Sequence, residues 1–162
     1  MDTKIRRLVD ADIGAIVDLG LDAWAPGFAG IEAELGPETF RLLFPDWRAA
    51  QASAIEGVCR ATQNESWVAV VQDRPVGFVA VRYVDEDAVR AGEIEMIAVA
   101  PDHQRAGIGA ALVEHAVSEI RTAGVTLAVI GTSGDPGHAP ARALYEKLGF
   151  GAFRHVRYYR RL

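Results

Sequence analysis

Hydrophobic positions change period several times along this chain, and each change marks a predicted element. Residues 4–9 read as a short strand. Ile13, Ile16, Val17 and Leu21 then recur on one helical face, with Asp10 or Asp12 placed to cap it. The stretch APGFAGIEAELGPETF (25–40) is punctuated by Pro26, Gly27, Gly30, Gly36 and Pro37 and predicts a loop or a pair of loosely joined turns. A second helical stretch runs from about Pro37 to Arg60, interrupted near Pro45. From Trp67 the pattern turns β-branched and aromatic. WVAVVQD (67–73) and PVGFVAVRYV (75–84) predict a hairpin, and EIEMIAVA (93–100) a third strand after a charged loop, DEDAVRAG (85–92). Ile108, Leu112, Val113, Ala116, Val117 and Ile120 share a helical face that Gly124 terminates. The nearly unbroken apolar run VTLAVIG (125–131) predicts a central strand covered on both faces. PARALYEKLGF (140–150) is a helix with Pro140 in its first turn and Gly149 at its end, and GAFRHVRYYRRL (151–162) alternates as a last strand.

The order β-α-α-β-β-β-α-β-α-β describes an α/β (α+β) protein, a single mixed sheet with helices on both faces. A length of 162 residues suits one domain over residues 1–162. The net charge of −5 argues against a nucleic-acid partner. No apolar run approaches the roughly 20 residues that cross a bilayer, so no membrane partner is expected. The opening MDTKIRRLVDADIG lacks the apolar region of a signal peptide, and Cys59 is the only cysteine; both suit a cytoplasmic protein. His103, His115 and His155 have no metal-ligand spacing, so no metal is expected.

The most informative stretch is VAPDHQRAGIGAALVEHAV (99–117), which places Gly107 and Gly109 where a helix begins. A dinucleotide fingerprint would need a third glycine at Leu112, and a P-loop would need Gly-Lys-Ser/Thr. Two readings remain. Consecutive amides of a Q-R-A-G-I-G turn, with the positive end of the helix behind them, can wrap a pyrophosphate. Alternatively, the glycines serve only a tight strand-to-helix connection.

EIEMIAVAPDHQRAGIGAALVEHA (93–116) resembles the acyl-CoA-binding core of the GNAT superfamily of N-acetyltransferases, a strand followed by Gln/Arg-x-x-Gly-x-Gly/Ala and a helix. The hexad is met in full by residues 104–109, and ALYEKLGF (143–150) resembles a second family unit at the expected distance. The likeness is strongest over 93–150 and faint before residue 60. It implies a sheet with splayed central strands, acetyl-CoA as co-substrate, and acetyl transfer to a primary amine of a small molecule or peptide. It implies that Gln104, Arg105, Ala106, Gly107, Ile108, Gly109 and Ala110 hold the pyrophosphate. Ile97, Ala98 and Val99 would pair with the pantetheine arm, entering where their strand parts from the one at 125–131. Arg105, Arg142 or Lys147 would meet the adenosine phosphates. Homodimers are common in the family. A non-catalytic acyl-CoA sensor on the same fold is the alternative; loss of the cleft carboxylates and tyrosine would favour it, and both are retained.

Acetyl transfer from a thioester needs a neutral amine, a stabilised carbonyl oxygen and a proton for the leaving thiolate. Glu93 and Glu95 face one side of their strand, and the resemblance implies Glu93 as base, with Glu95 as rival. A solvated face or a salt bridge to Arg82 is the other reading. Tyr145 matches the family's tyrosine that protonates the sulfur, although periodicity alone places it on an apolar face with Ala141, Leu144 and Leu148. A backbone N–H near Ile97 is the implied oxyanion donor. His138 stands where many relatives carry Asn, seven residues before that tyrosine, where it would contact the cofactor; unlike Asn it can titrate. Trp24 and Phe28 either pack the core or line the acceptor cleft, expected from residues 22–48, the 85–90 loop and the final strand. Cys59 lies far from the motif strands, so direct attack in a ternary complex is expected.

Overall fold

A computed structural model describes residues 3–162. Strand β1 (Lys4–Arg7) is followed by a single 3-10 turn, Asp10–Asp12, and by helix α1 (Ile13–Leu35). Helices α2 (Pro37–Leu43) and α3 (Trp47–Arg60) come next, and the chain breaks between them at Pro45, as the sequence predicts. Strands β2 (Glu65–Val71), β3 (Arg74–Glu86) and β4 (Val89–Val99) form a meander. Helix α4 (Ile108–Thr122), strand β5 (Ala128–Ile130) and helix α5 (Ala139–Lys147) complete the fold. The sheet order is β1-β2-β3-β4-β5, antiparallel except for the β4–β5 pair.

Alternation along β2 and β3 divides the core between the two faces of the sheet. Trp67, Ala69, Val79 and Val81 meet Leu112, Val113, Ala116 and Ile120 of α4. Val68, Val70 and Phe78 meet Ile16 and Leu19 of α1 and Ile55 of α3. Helices therefore cover both faces, each offering one apolar stripe.

Four expectations are corrected. The stretch 25–40 is not a loop: α1 runs through Pro26, Gly27 and Gly30, and α2 begins at Pro37. Pro26 withholds one amide, but Gly27 is buried and allows close approach of the 135–138 turn, so tertiary packing overrides the local punctuation. The charged stretch 85–92 is a hairpin tip rather than a loop. β3 and β4 remain paired out to Glu86 and Val89, and Asp87 takes the left-handed conformation at φ 48°. The 125–131 run is not central; β5 is an edge strand of three residues, whose Ala128 and Ile130 pack on the α4 face only. Finally, residues 151–162 form no strand. Phe153 and Tyr158 are exposed, and two of the segment's four arginines form ion pairs with the body, Arg154 with Glu146 and Arg161 with Glu38.

Two irregularities in β4 shape what lies beside it. Ile94 pairs with Val81 but Met96 with Ala80, so Glu95 is the extra residue of a β-bulge. The bulge switches parity: Ile94, Ile97 and Val99 face α4, while Met96 and Ala98 face α1. On the other edge, β4 pairs with β5 only from Gly92 to Ile94. Beyond Ile94 the two strands part, and five residues of β4 continue without a neighbour on that side.

Candidate active site

The turn between β4 and α4 is built to expose backbone amides. Arg105 and Gly107 both adopt left-handed conformations, at φ 60° and 83°. Gly107 is the N-cap of α4, which has no side-chain cap and no acidic residue in its first turn. The first intrahelical bond is made by the Ala111 amide to the Gly107 carbonyl, leaving the amides of Ile108, Gly109 and Ala110 unpartnered within the helix. Arg105, Ala106 and Gly107 are exposed. Such an end attracts an anion. The Gln104 side chain is otherwise engaged, donating to the Val99 carbonyl at 3.0 Å and fixing the turn to the strand end. A β-carbon on Gly109 would lie 3.3 Å from Leu144, so this glycine lets α5 sit close to the start of α4.

Tyr145 lies on α5 in the same core as Ile97, Val99 and Ile130, the residues that flank the parting of β4 and β5. It is 9% exposed and stands edge-on to Phe150, with ring centroids 6.2 Å apart. Burial alone pushes its phenol up to about 12.

Seven residues earlier, His138 is the N-cap of α5, two helical turns away on the same side. Its Nδ1 lies 2.5 Å from Oδ2 of Asp135, which is 2% exposed. Burial works to raise the Asp135 carboxyl, but bonding by Ser133 and His138 more than offsets it and holds the group below the usual range. Oδ1 of Asp135 is buried with no partner in hydrogen-bond geometry. The Arg142 guanidinium donates to the carbonyls of Ser133 and Asp135 at 2.6 and 2.8 Å. Arg142 therefore braces this turn, whereas Lys147, at the other end of α5, is exposed.

The remaining candidates lie on the α1 and α3 side of the sheet. Arg82 donates to Glu93 at 2.7 Å and lies 3.6 Å from Glu95, whose other oxygen accepts from Asn64 at 3.0 Å. Trp24 packs edge-on to buried Phe78, and Phe28 stacks on Trp47 at 4.1 Å. One helical turn thus separates two aromatics with different partners. Among the described residues no three His, Cys, Asp or Glu side chains gather as metal ligands, and no helix is long and apolar enough to cross a membrane.

Comparison with known proteins matches residues 28–150 to the acetyltransferase (GNAT) family. The chain belongs to this family. It is 30% identical over 118 residues to the mycothiol acetyltransferase of Saccharomonospora viridis, a match covering 65% of this chain and 38% of that protein. It is 48% identical over 54 residues to the ribosomal protein bS18-alanine N-acetyltransferase of Escherichia coli K12, covering 33% of this chain and 35% of that one. The matched part thus spans little more than a third of either curated relative's length. Among solved structures, AAC(6')-Iy in complex with the bisubstrate analogue CoA-S-monomethyl-acetylneamine superposes with a TM-score of 0.67 at 18% identity, covering 100% of this chain and 99% of that one. The GNAT architecture predicted from the two motifs is thereby established.

Asp135 escaped the sequence reading. The signal was a carboxylate three residues before His138 in GDPGH, together with Gly27 and Gly30 spaced one helical turn apart to receive it.

Proposed function

We propose that this protein is an acetyl-CoA-dependent N-acetyltransferase, a single cytoplasmic domain over residues 1–162. It transfers an acetyl group to a primary amine of a small molecule or peptide by direct attack in a ternary complex. The observation that carries the reading is one conjunction: an uncapped helix start led by Gly107 follows a strand whose last five residues lack a neighbour on the β5 side.

The amides from Arg105 to Ala110 would hold the pyrophosphate, with the exposed Arg105 guanidinium and Lys147 available to the adenosine phosphates. Arg142 supports the site by bracing the neighbouring turn. The free edge of Ile97, Ala98 and Val99 would pair with the amide-bearing pantetheine arm, as an added strand does. An N–H near Ile97 would then stabilise the carbonyl oxygen as charge develops. Bound acetyl-CoA supplies the activated acetyl group. Tyr145, protonated at any ordinary pH, would give its proton to the leaving thiolate. Glu93 and Glu95, held by Arg82, would draw the acceptor's ammonium towards β4, and α1 with Trp24 and Phe28 would form the wall of that side.

Calorimetric titration with acetyl-CoA, with ATP and NAD as controls, tests the cofactor reading. Release of free thiol in the presence of an alanine-terminated peptide or neamine, acceptors of the kinds the relatives' names point to, tests transfer. Micromolar binding of acetyl-CoA alone, with thiol release, is the expected result. Folded protein that binds none overturns the reading.

A further inference from the structure

We propose that His138, oriented by Asp135, takes the proton from the acceptor's ammonium; this deepens the proposed activity and rests on it. Three features of the chain converge on this pair.

The first is the state of the imidazole. A carboxylate 2.5 Å from Nδ1 holds the proton on that nitrogen and leaves Nε2 as the acceptor, without a protein partner among the described residues. A quarter of the side chain is exposed, while the Asp135 side chain is 1% exposed. Asp135 is thus a positioning residue and His138 the part-exposed group of the pair.

The second feature is how closely the fold encloses the pair. A β-carbon on Gly27 would stand 2.5 Å from Cε1 and 2.9 Å from Nε2 of His138. One turn on, Gly30 makes the same allowance for Oδ1 of Asp135. Arg142 fixes the carbonyls of Ser133 and Asp135 beneath it. Asp135 is the charged group that contacts the imidazole from its own segment, and α1 brings Gly27, Gly30 and the Pro26 carbonyl against this turn. Burying a carboxylate is costly, and a buried carboxylate on Nδ1 fixes the tautomer and orientation of a part-exposed imidazole.

The third is location. His138 follows β5 by eight residues, where β5 has already parted from β4, and it lies two turns along α5 from Tyr145. The proposed carboxylates offer no such free base, since Arg82 engages both.

The step balances. The ammonium passes one proton to His138 Nε2. The nitrogen lone pair then forms the C–N bond to the thioester carbon, and the C–S bond breaks. The thiolate takes a proton from Tyr145, which regains one from the nitrogen through water. His138 returns its proton to solvent.

Ethylamine, an ammonium ion at pH 7, and hydroxylamine, largely neutral there, serve as probes small enough for any acceptor cleft. His138→Asn should lower transfer to ethylamine by about 100-fold or more at saturating acetyl-CoA, with only a few-fold loss on hydroxylamine. Asp135→Asn should move the ethylamine rate in the same direction. Equal losses on both probes, or none, at saturating acetyl-CoA would overturn the proposal and leave the pair as a clamp between α1 and α5. Wild-type protein that binds no acetyl-CoA would instead overturn the activity on which it rests. Nitrogen-15 NMR of the wild type keeps the test independent of how the variants fold: neutral His138 must carry its proton on Nδ1, and an Nε2–H tautomer overturns the proposal.

Discussion

Gly27 and His138 are in contact through the absence of a side chain: a β-carbon at Gly27 would meet the imidazole Cε1 at 2.5 Å. The ring is held in place from the other side by Asp135, so it has little room to retreat. Gly27→Ala should therefore destabilise the protein by about 1–3 kcal/mol through overpacking, despite the better helix propensity of alanine. Gly14, in the same helix, has nothing within 4 Å of its would-be β-carbon and provides the control. Gly14→Ala should stabilise by about 0.5–1 kcal/mol. Urea unfolding of the two variants checks both signs; stabilisation by both would show that α1 does not press on the 135–138 turn.

Tyr145 and Phe150 touch edge to face, and a phenylalanine at 145 would keep that contact. Tyr145→Phe should leave the unfolding free energy and acetyl-CoA affinity unchanged while lowering turnover by about 100-fold. The pH dependence follows from the phenol's position at about 12. A raised value means the proton is retained further into alkali than the ordinary tyrosine value of about 10 allows. The wild type should thus show no alkaline loss of turnover from this group below about pH 10. Unchanged turnover in the variant would remove Tyr145 from the acid role.

Where the sequence was legible, one physical rule dominated locally. The β-branched and aromatic runs at 67–73 and 75–84 marked the β2–β3 hairpin, and the hexad at 104–109 marked the turn because left-handed backbone needs residues such as Gly107. Where it was not, a distant partner decided the outcome. Pro26, Gly27 and Gly30 look like helix breakers until the 135–138 turn is set against them. The apolar run at 125–131 looks central, but β4 follows β5 for only three residues before its bulge diverts it. Glu93 and Glu95 were foreseen as neighbours on one face, with a salt bridge to Arg82 among the alternatives, because cross-strand pairing is nearly local in a hairpin. The pairing of His138 with Asp135 was not legible because GDPGH has turn composition, and the burial of Asp135 is set by Gly27 and Gly30 of the distant α1.

Gly107 combines a left-handed backbone at φ 83° with open space around its would-be β-carbon. Gly107→Val therefore meets no clash, and its structural cost is confined to backbone strain of about 1–2 kcal/mol. A folded variant should result, in which the turn can no longer present its amides and acetyl-CoA affinity is lost. Calorimetry on protein shown to be folded by circular dichroism separates the two effects. Retained affinity would mean that the turn is only a connection.

Asp12 ties the first strand to the start of α1. It accepts from Arg6 at 2.7 and 2.9 Å and from the Val9 amide at 2.9 Å. Arg6 is the main cause that lowers its carboxyl below the ordinary value; burial opposes, and the Val9 amide adds to the lowering. A carboxyl depressed in the folded state contributes stability that is complete above its unfolded value, about pH 4, and is lost as the pH falls through the folded one. Asp12→Asn should cost about 1.5–3 kcal/mol at neutral pH, the range for hydrogen bonds to a charged group. The difference between variant and wild type, followed by urea unfolding, should stay constant down to about pH 5 and close on further acidification. A difference that persisted at pH 2 would mean that the introduced amide group, and not the lost charge, is what weakens the anchoring of α1 to the sheet.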